Sequence, residues 1–308
     1  ITRDMLLNVP VPSITGFTEQ LTNIGKIKNQ GFEALLSTKN LTGSFKWNTD
    51  FNISLNRNKV LKLGDDGSPI YINNWGTTKT EIGQPMANFY GYIFDGVFMN
   101  QEEINSYPHS SSTTPGDPKI RDVTGDGIID ENDRTVIGNA QPDFIFGLTN
   151  TFNYKNFDLS ITLQGQYGNE IMNSQTRFSK FYNGGRNQYA IVNNYWKSES
   201  DPGDGKIFKP MVNYNGLQTA FSTYWVEDGS FLRFKTLTLG YSIPRKVLSK
   251  INIYKVRLYL TGQNLYTLSA YSGLDPEVST QGNTTTPAFD FSAYPRSTNF
   301  LFGVNITF

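Results

Sequence analysis

The sequence has 308 residues, enough for one large β domain or two ordinary ones. Its 27 basic and 27 acidic residues balance to a net charge of +0, so no field gathers phosphate backbones, which argues against nucleic acid as a partner. The absence of cysteine excludes a disulfide framework and a thiolate site, and the 37% hydrophobic fraction holds no run near the roughly 20 apolar residues of a spanning helix.

Aromatics make up 14% of the chain, there are 28 glycines, and helical periodicity is nearly absent, which together predict an all-β protein. Ile1 is not a methionine and no targeting segment follows it, so sequence upstream is expected to have been removed. The first predicted strand covers 25–39. The second, over 44–58, sets Phe45, Trp47, Thr49, Phe51, Ile53 and Leu55 against Lys46, Asn48, Asp50, Asn52, Ser54 and Asn56. After a long region, 59–142, which holds either no wall strand or two, a strand over 143–153 leads through the short turn 154–156 into 157–167. There Phe157, Leu159, Ile161, Leu163 and Tyr167 oppose Asp158, Ser160, Thr162, Gln164 and Gln166. Strands over 231–241 and 255–268 alternate less cleanly, the latter with Val256, Leu258 and Leu260 on its apolar side. The last, 299–308, places Phe300, Phe302, Val304, Ile306 and Phe308 on one face.

Short turns at 40–43, 154–156 and around 244–253 alternate with long loops near 59–142, 169–223 and 269–295. That asymmetry, with strands reaching the roughly 9 to 11 residues a tilted spanning strand needs, predicts an antiparallel transmembrane β-barrel whose long loops are extracellular. A soluble sandwich also alternates, but its strands usually run about 5 to 6 residues. Phe45, Trp47, Tyr154, Phe157, Tyr167 and Tyr241 suit interfacial girdles at the strand ends.

The segment Asp122-Val-Thr-Gly-Asp-Gly-Ile-Ile-Asp-Glu-Asn-Asp133 has calcium-loop spacing. Asp122, Thr124, Asp126, Asp130 and Asp133 offer side-chain oxygens and Ile128 its carbonyl. Gly127 permits the sharp turn, Ile129 is the expected inward anchor, and Asp133 is shorter than the usual glutamate. The role predicted for Ca2+ there is structural, and the bland reading is a solvated acidic turn. Catalytic arrangements are missing, so the chain is not expected to be an enzyme. The single histidine, His109, lies in a serine-rich loop without a nucleophile elbow, and the pairs Asp65-Asp66 and Glu102-Glu103 read as solvated loop charges. Tyr182, Tyr189, Tyr195, Trp196, Trp225, Tyr271 and Tyr294 would stack on sugar or peptide, or pack the loops themselves.

Several ordered segments resemble the SusC-like (SusC/RagA) TonB-dependent transporters of Bacteroidetes. They are Asn23-Ile-Gly25 with Asn29-Gln-Gly-Phe-Glu33, Phe89-Tyr-Gly-Tyr-Ile-Phe-Asp-Gly96, Gly116-Asp117 leading into the acidic loop, and Pro142-Asp-Phe-Ile-Phe-Gly147. Phe157-Asp-Leu159, Gln164-Gly165, Phe231-Leu-Arg-Phe234, Gly262-Gln-Asn-Leu265 and Gly273-Leu-Asp-Pro-Glu277 follow in register. The resemblance implies a barrel of about 22 strands around a plug, of which this chain is the C-terminal portion with six to eight strands, the plug and the TonB-contacting segment lying upstream. It further implies a multi-pass position in the outer membrane, a SusD-like lipoprotein over the loops, and import of glycans or oligopeptides powered through TonB. The barrel assembly machinery would recognise the strand ending at Phe308. Asp50, Asn52, Thr162 and Gln164 would line the lumen. The alternative reading is a secreted, calcium-stabilised β-sheet protein that binds carbohydrate.

Overall fold

The computed structural model describes residues 2–308 except 11–13, 15, 18, 65, 74–76, 181–186, 211–216, 218–219, 250–252 and 281–283, and at 3–10, 19–24 and 178 it describes the backbone alone. Eight strands form one sheet: β1 (Thr2–Pro10), β2 (Glu19–Thr42), β3 (Phe45–Leu63), β4 (Phe144–Tyr154), β5 (Phe157–Tyr167), β6 (Phe231–Ser242), β7 (Lys255–Ser269) and β8 (Asn299–Thr307). Spatial order follows chain order and every pairing is antiparallel, so the wall is a simple meander. β3 pairs directly with β4, so the long region between them contributes no wall strand. β1 was not legible in the sequence: Met5-Leu-Leu7 runs apolar without alternation, and Pro10 closes the strand.

Register rows explain the two faces. One row runs Phe45, Tyr154, Phe157, Tyr241, Leu258, Val304, and the next runs Trp47, Phe152, Leu159, Leu239, Leu260, Phe302. These side chains point away from the rest of the protein: Phe302 is 73% exposed and Leu260 51%. An apolar surface of this extent, left open from β3 to β8, is what lipid contact requires. Phe45 and Tyr154 meet at 6.4 Å and Phe157 and Tyr241 at 4.7 Å between ring centroids, an aromatic row at the short-turn end. At the opposite end Phe144 stacks on Tyr167 at 5.4 Å. About ten residues of tilted strand separate the two rows, roughly 25 Å along the barrel axis, the height of an outer-membrane apolar band.

Polar groups on the apolar face satisfy one another. Trp47 Nε1 and Thr49 Oγ1 both donate to Asn150 Oδ1, at 2.8 and 2.7 Å, and Asn40 Nδ2 donates to Thr49 Oγ1 at 2.7 Å. Such closure is what a low-dielectric surround demands.

The imperfect alternation of β6 has a local cause. Thr162 pairs with Thr236 and Leu163 with Phe234, leaving Lys235 as a bulge, so the apolar positions pass from 232 and 234 to 237, 239 and 241. In β7, Asn264 adopts a left-handed φ of 51° opposite this bulge, and its Nδ2 donates to the Ser297 carbonyl before β8 begins.

On the polar face near the short turns, one register row alternates large and absent side chains: Asp158, Gly240, Tyr259, Gly303. Arg257 reaches across Gly240 to Asp158, with Nε on Oδ1 at 2.9 Å and Nη2 on Oδ2 at 2.5 Å. A Cβ at Gly240 would lie 2.5 Å from both partners, and one at Gly303 would overlap Cζ and Oη of Tyr259. The Arg257 guanidinium also sits 5.2 Å from the centre of that ring. The four terminal strands are thereby locked in one register.

The sheet is not closed. β1 pairs with β2 only over 19–27, leaving β2 unpaired on that side from residue 28 onward among the described strands, and the outer edge of β8 is likewise free.

Candidate functional site

The polar face of the wall carries the expected lining residues. Asp50, Thr149 and Thr162 share one register row, and Asn52, Gly147 and Gln164 the next. Ser37 donates to Asp50 at 2.6 Å, and hydroxyl pairs Thr149/Thr162 and Thr238/Thr261 lie 3.1 and 2.9 Å apart. The result is a hydrophilic surface of hydroxyls and amides opposite the lipid-type face.

The most buried charge on this face is one that sequence reasoning left without a role. Arg233, in the row Gln164, Arg233, Thr267, is 1% exposed. Its Nη2 meets Asp275 Oδ1 at 2.7 Å, its Nη1 meets Glu277 Oε2 at 2.5 Å, and its Nε donates to Thr267 Oγ1 at 2.9 Å. Gln164 Nε2 donates to Glu277 Oε1 at 3.3 Å, and Arg296 approaches the same two carboxylates at 3.6 and 3.5 Å. The signal was present as a charged residue inside Phe231-Leu-Arg-Phe234 and as two acids in Gly273-Leu-Asp-Pro-Glu277.

Above the wall, the three long loops fold as one packed body. Its core joins Phe89, Val97 and Ile137 from 64–143, Met172, Trp196, Phe208 and Trp225 from 168–230, and Phe289 from 270–298. A parallel pairing of Met172 with Phe289 links the second and third loops, and Phe89 meets Phe289 edge to face at 5.4 Å. Of the loop aromatics, Trp196, Trp225 and Tyr271 are buried in packing, Tyr195 is half-buried, Tyr189 and Tyr294 are exposed, and Tyr182 lies outside the described residues.

The acidic loop closes on its own main chain. Asp122 Oδ1 accepts from Gly125 N at 2.6 Å, and its Oδ2 accepts from Gly127 N at 2.8 Å. Asp133, fully buried, accepts from Val123 N, Thr124 N and Asp130 N at 2.9, 3.2 and 2.9 Å. Asp126 accepts from Ile128 N, and Asp130 caps the short helical turn Glu131–Asp133. Thr124 Oγ1 lies within reach of both Asp122 and Asp133, at 3.1 and 3.2 Å. Ile128 is exposed, whereas Ile129 is buried against Tyr92 and Ile120, as its anchor position requires. The donor set has the oxygen chemistry of a calcium site, but in this arrangement its carboxylates face amide hydrogens, and no cluster of three or more metal-binding side chains occurs among the described residues.

The Gly127 amide foremost, then those of Gly125 and the Thr124 hydroxyl, hold the Asp122 carboxyl below its ordinary value of 3.8 against a desolvation effect of opposite sign. A lowered carboxyl contributes its stability above the unfolded value and loses it as pH falls through the folded one. Protease sensitivity within 122–133 is therefore expected to be flat at neutral pH and to rise only below about pH 4. Asp133→Ala, which strips the acceptor from three main-chain donors, is expected to cost about 1–3 kcal/mol locally. Faster hydrogen exchange at Val123, Thr124 and Asp130 checks this, and unchanged exchange there would refute it.

The other sequence candidates are ordinary. His109 is exposed, with Nδ1 2.8 Å from the Tyr107 carbonyl oxygen. Glu103 accepts from Met99 N and pairs with Lys119, and Asp66 binds Ser68, while Asp65 lies outside the described residues.

A meander of long antiparallel strands, apolar and open on one face, polar on the other and capped by packed loops, defines a section of a transmembrane β-barrel of the transporter type. No helix among the described residues is long and apolar enough to cross a membrane. The whole chain aligns with TonB-dependent receptor P3 of Formosa agariphila, 33% identical over 324 residues and covering 31% of that protein, and with TonB-dependent receptor P26 of the same organism at 34% over 317 residues and 32%. SusC of Bacteroides thetaiotaomicron, also a TonB-dependent receptor, is 30% identical over 319 residues, of which 29% of its length is covered. No family model matches. Among solved structures, the RagAB peptide transporter superposes with a TM-score of 0.80 at 24% identity, covering 99% of this chain and 32% of the other. The whole chain thus matches a section of TonB-dependent receptors, SusC among them, and it spans about a third of the length of the curated relatives it matches. Those relatives are receptors and transporters by name rather than enzymes.

Proposed function

We propose that this chain is the C-terminal wall section of an outer-membrane importer for glycans or oligopeptides. The observation that carries the reading is the two-faced wall: an open apolar surface from β3 to β8, backed by the hydroxyl and amide surface around Asp50, Asn52, Thr162 and Gln164. In the complete receptor a SusD-like lipoprotein would close over the loop body, and the TonB complex would supply energy through the N-terminal region. The barrel assembly machinery would read the strand ending at Phe308. Both glycan and peptide cargo suit the polar, hydrogen-bonding lining; RagAB is a peptide transporter by name, and glycan cargo is what the family resemblance implies.

The test is uptake by the complete receptor. Disrupting its gene is expected to abolish growth on one glycan or peptide class, with recovery on complementation only when TonB is functional. A receptor that purifies as a soluble monomer without detergent would overturn the reading in favour of a secreted binding protein.

Calcium is a separable proposal, supported by the spacing of Asp122, Thr124, Asp126, Ile128, Asp130 and Asp133. Binding would require the carboxylates to exchange amide hydrogens for the ion. Asp126→Ala is expected to loosen the loop to protease only when calcium is present at the start; identical cleavage with and without chelator would sink the idea.

A further inference from the structure

The third loop, 270–298, begins on the polar face of the wall, reaches the centre of the loop body at Phe289 and returns to the wall at Arg296. Near its start, Asp275 and Glu277 grip Arg233 of β6, while Gln164 of β5 and Thr267 of β7 hold the same cluster from either side. Arg296, near its end, returns to the same two acids. Between these points the loop is stitched to both of its neighbours. Ser272 N and Oγ donate to Glu227 at 2.7 and 2.8 Å, and Met172 N donates to the Ala288 carbonyl at 3.0 Å. Thr78 Oγ1 donates to the Thr285 carbonyl at 2.7 Å. Phe289 and Thr286 are fully buried.

An arginine on the inner face of a barrel wall would ordinarily be solvated. Arg233 is 1% exposed because this loop lies over it. Two arginines and two carboxylates make the cluster neutral, so its desolvation is offset only while all members are together; removing one partner strands a buried charge. A cluster of this kind adds little stability compared with a hydrophobic plug, and its use is to fix one geometry.

We propose that 270–280 and 284–298 form a strap folded inward over the lumen face, and that Arg233 is the positioning residue that pins it and, through it, the whole loop body to the wall. The strap narrows the mouth of the path on the side of β5, β6 and β7, so its attachment sets how much of that mouth a cargo meets. This consequence rests on the import reading, whereas the pin itself does not.

The test needs no cargo, so its failure is distinct from a failure of the import reading. The chain has no cysteine, and Leu274 on the strap and Lys59 on β3 are exposed positions for paired spin labels in the complete receptor. One narrow distance is expected in the parent. Arg233→Met is expected to replace it with a broad distribution, while a second label pair at Ile128 and Tyr189, within the loop body, stays unchanged. Should Arg233→Met not assemble, the triple change Arg233→Met, Asp275→Asn, Glu277→Gln, which leaves Arg296 as the one charge of the cluster, serves, with the same loss of the narrow peak expected. Arg233→Lys, keeping the charge but not the three-point grip, is expected to restore only part of that peak. An unchanged strap distance in Arg233→Met or the triple variant, or equal broadening of the pair within the loop body, overturns the assignment.

Discussion

Gly303→Val is expected to lower the amount of folded receptor in the membrane by about tenfold, the consequence of the ~1–3 kcal/mol that overpacking costs. Neighbouring strands lie only about 4.8 Å apart, and the Tyr259 side chain of β7 lies across that gap onto Gly303 of β8. Any Cβ at Gly303 meets the ring, so either Tyr259 lifts away or the terminal strand shifts. Lifting the ring breaks its stacking with the Arg257 guanidinium, whose other partner is Asp158 across Gly240. The disturbance therefore spreads over four strands and reaches the edge at which the barrel must close. Heat-modifiable mobility on gels measures the folded fraction. Adding Tyr259→Ala should recover most of it, since the ring and the new side chain compete for one space. Normal assembly of Gly303→Val with Tyr259 in place would show that this row does not set register.

Trp225→Ala tests the loop body in the same quantitative way. The indole is 2% exposed, meets Tyr224 edge to face at 4.6 Å and Phe208 at 6.4 Å, and donates from Nε1 to the Ala220 carbonyl at 3.2 Å. Truncating a buried tryptophan costs about 3–5 kcal/mol. This core joins segments from three loops, none of which has a core of its own of comparable size. The expected result is loss of protease resistance throughout 64–143, 168–230 and 270–298 together, with heat-modifiable mobility of the wall retained. Proteolysis confined to the loop that carries Trp225 would mean that the three loops fold independently.

Much of the wall was legible because its physics is local. Alternation along a strand is dictated by the two-residue repeat of side-chain direction, so an apolar face on one side and a polar face on the other writes itself into residues 44–58, 157–167 and 299–308. The strands that read poorly are those in which a bulge, at Lys235, changes the phase, or in which alternation is lacking, as at Met5-Leu-Leu7. The acidic loop was also visible, because its aspartates and glycines act at short range. What its carboxylates bind in the folded chain was not, since amide hydrogens compete with any ion for the same oxygens.

By itself, then, the sequence determined most of the strand pattern, the apolar side of the clearest strands, and the family that the ordered segments resemble. Only the tertiary structure decided that β3 continues to Leu63 and that no strand between it and Phe144 enters the wall, that Gly240 and Gly303 are seats for side chains of neighbouring strands, and that Arg233 is covered by residues more than forty positions away. Those are pairings between distant segments, and their energies depend on which side chains a register row brings face to face, a quantity that periodicity along one strand does not contain.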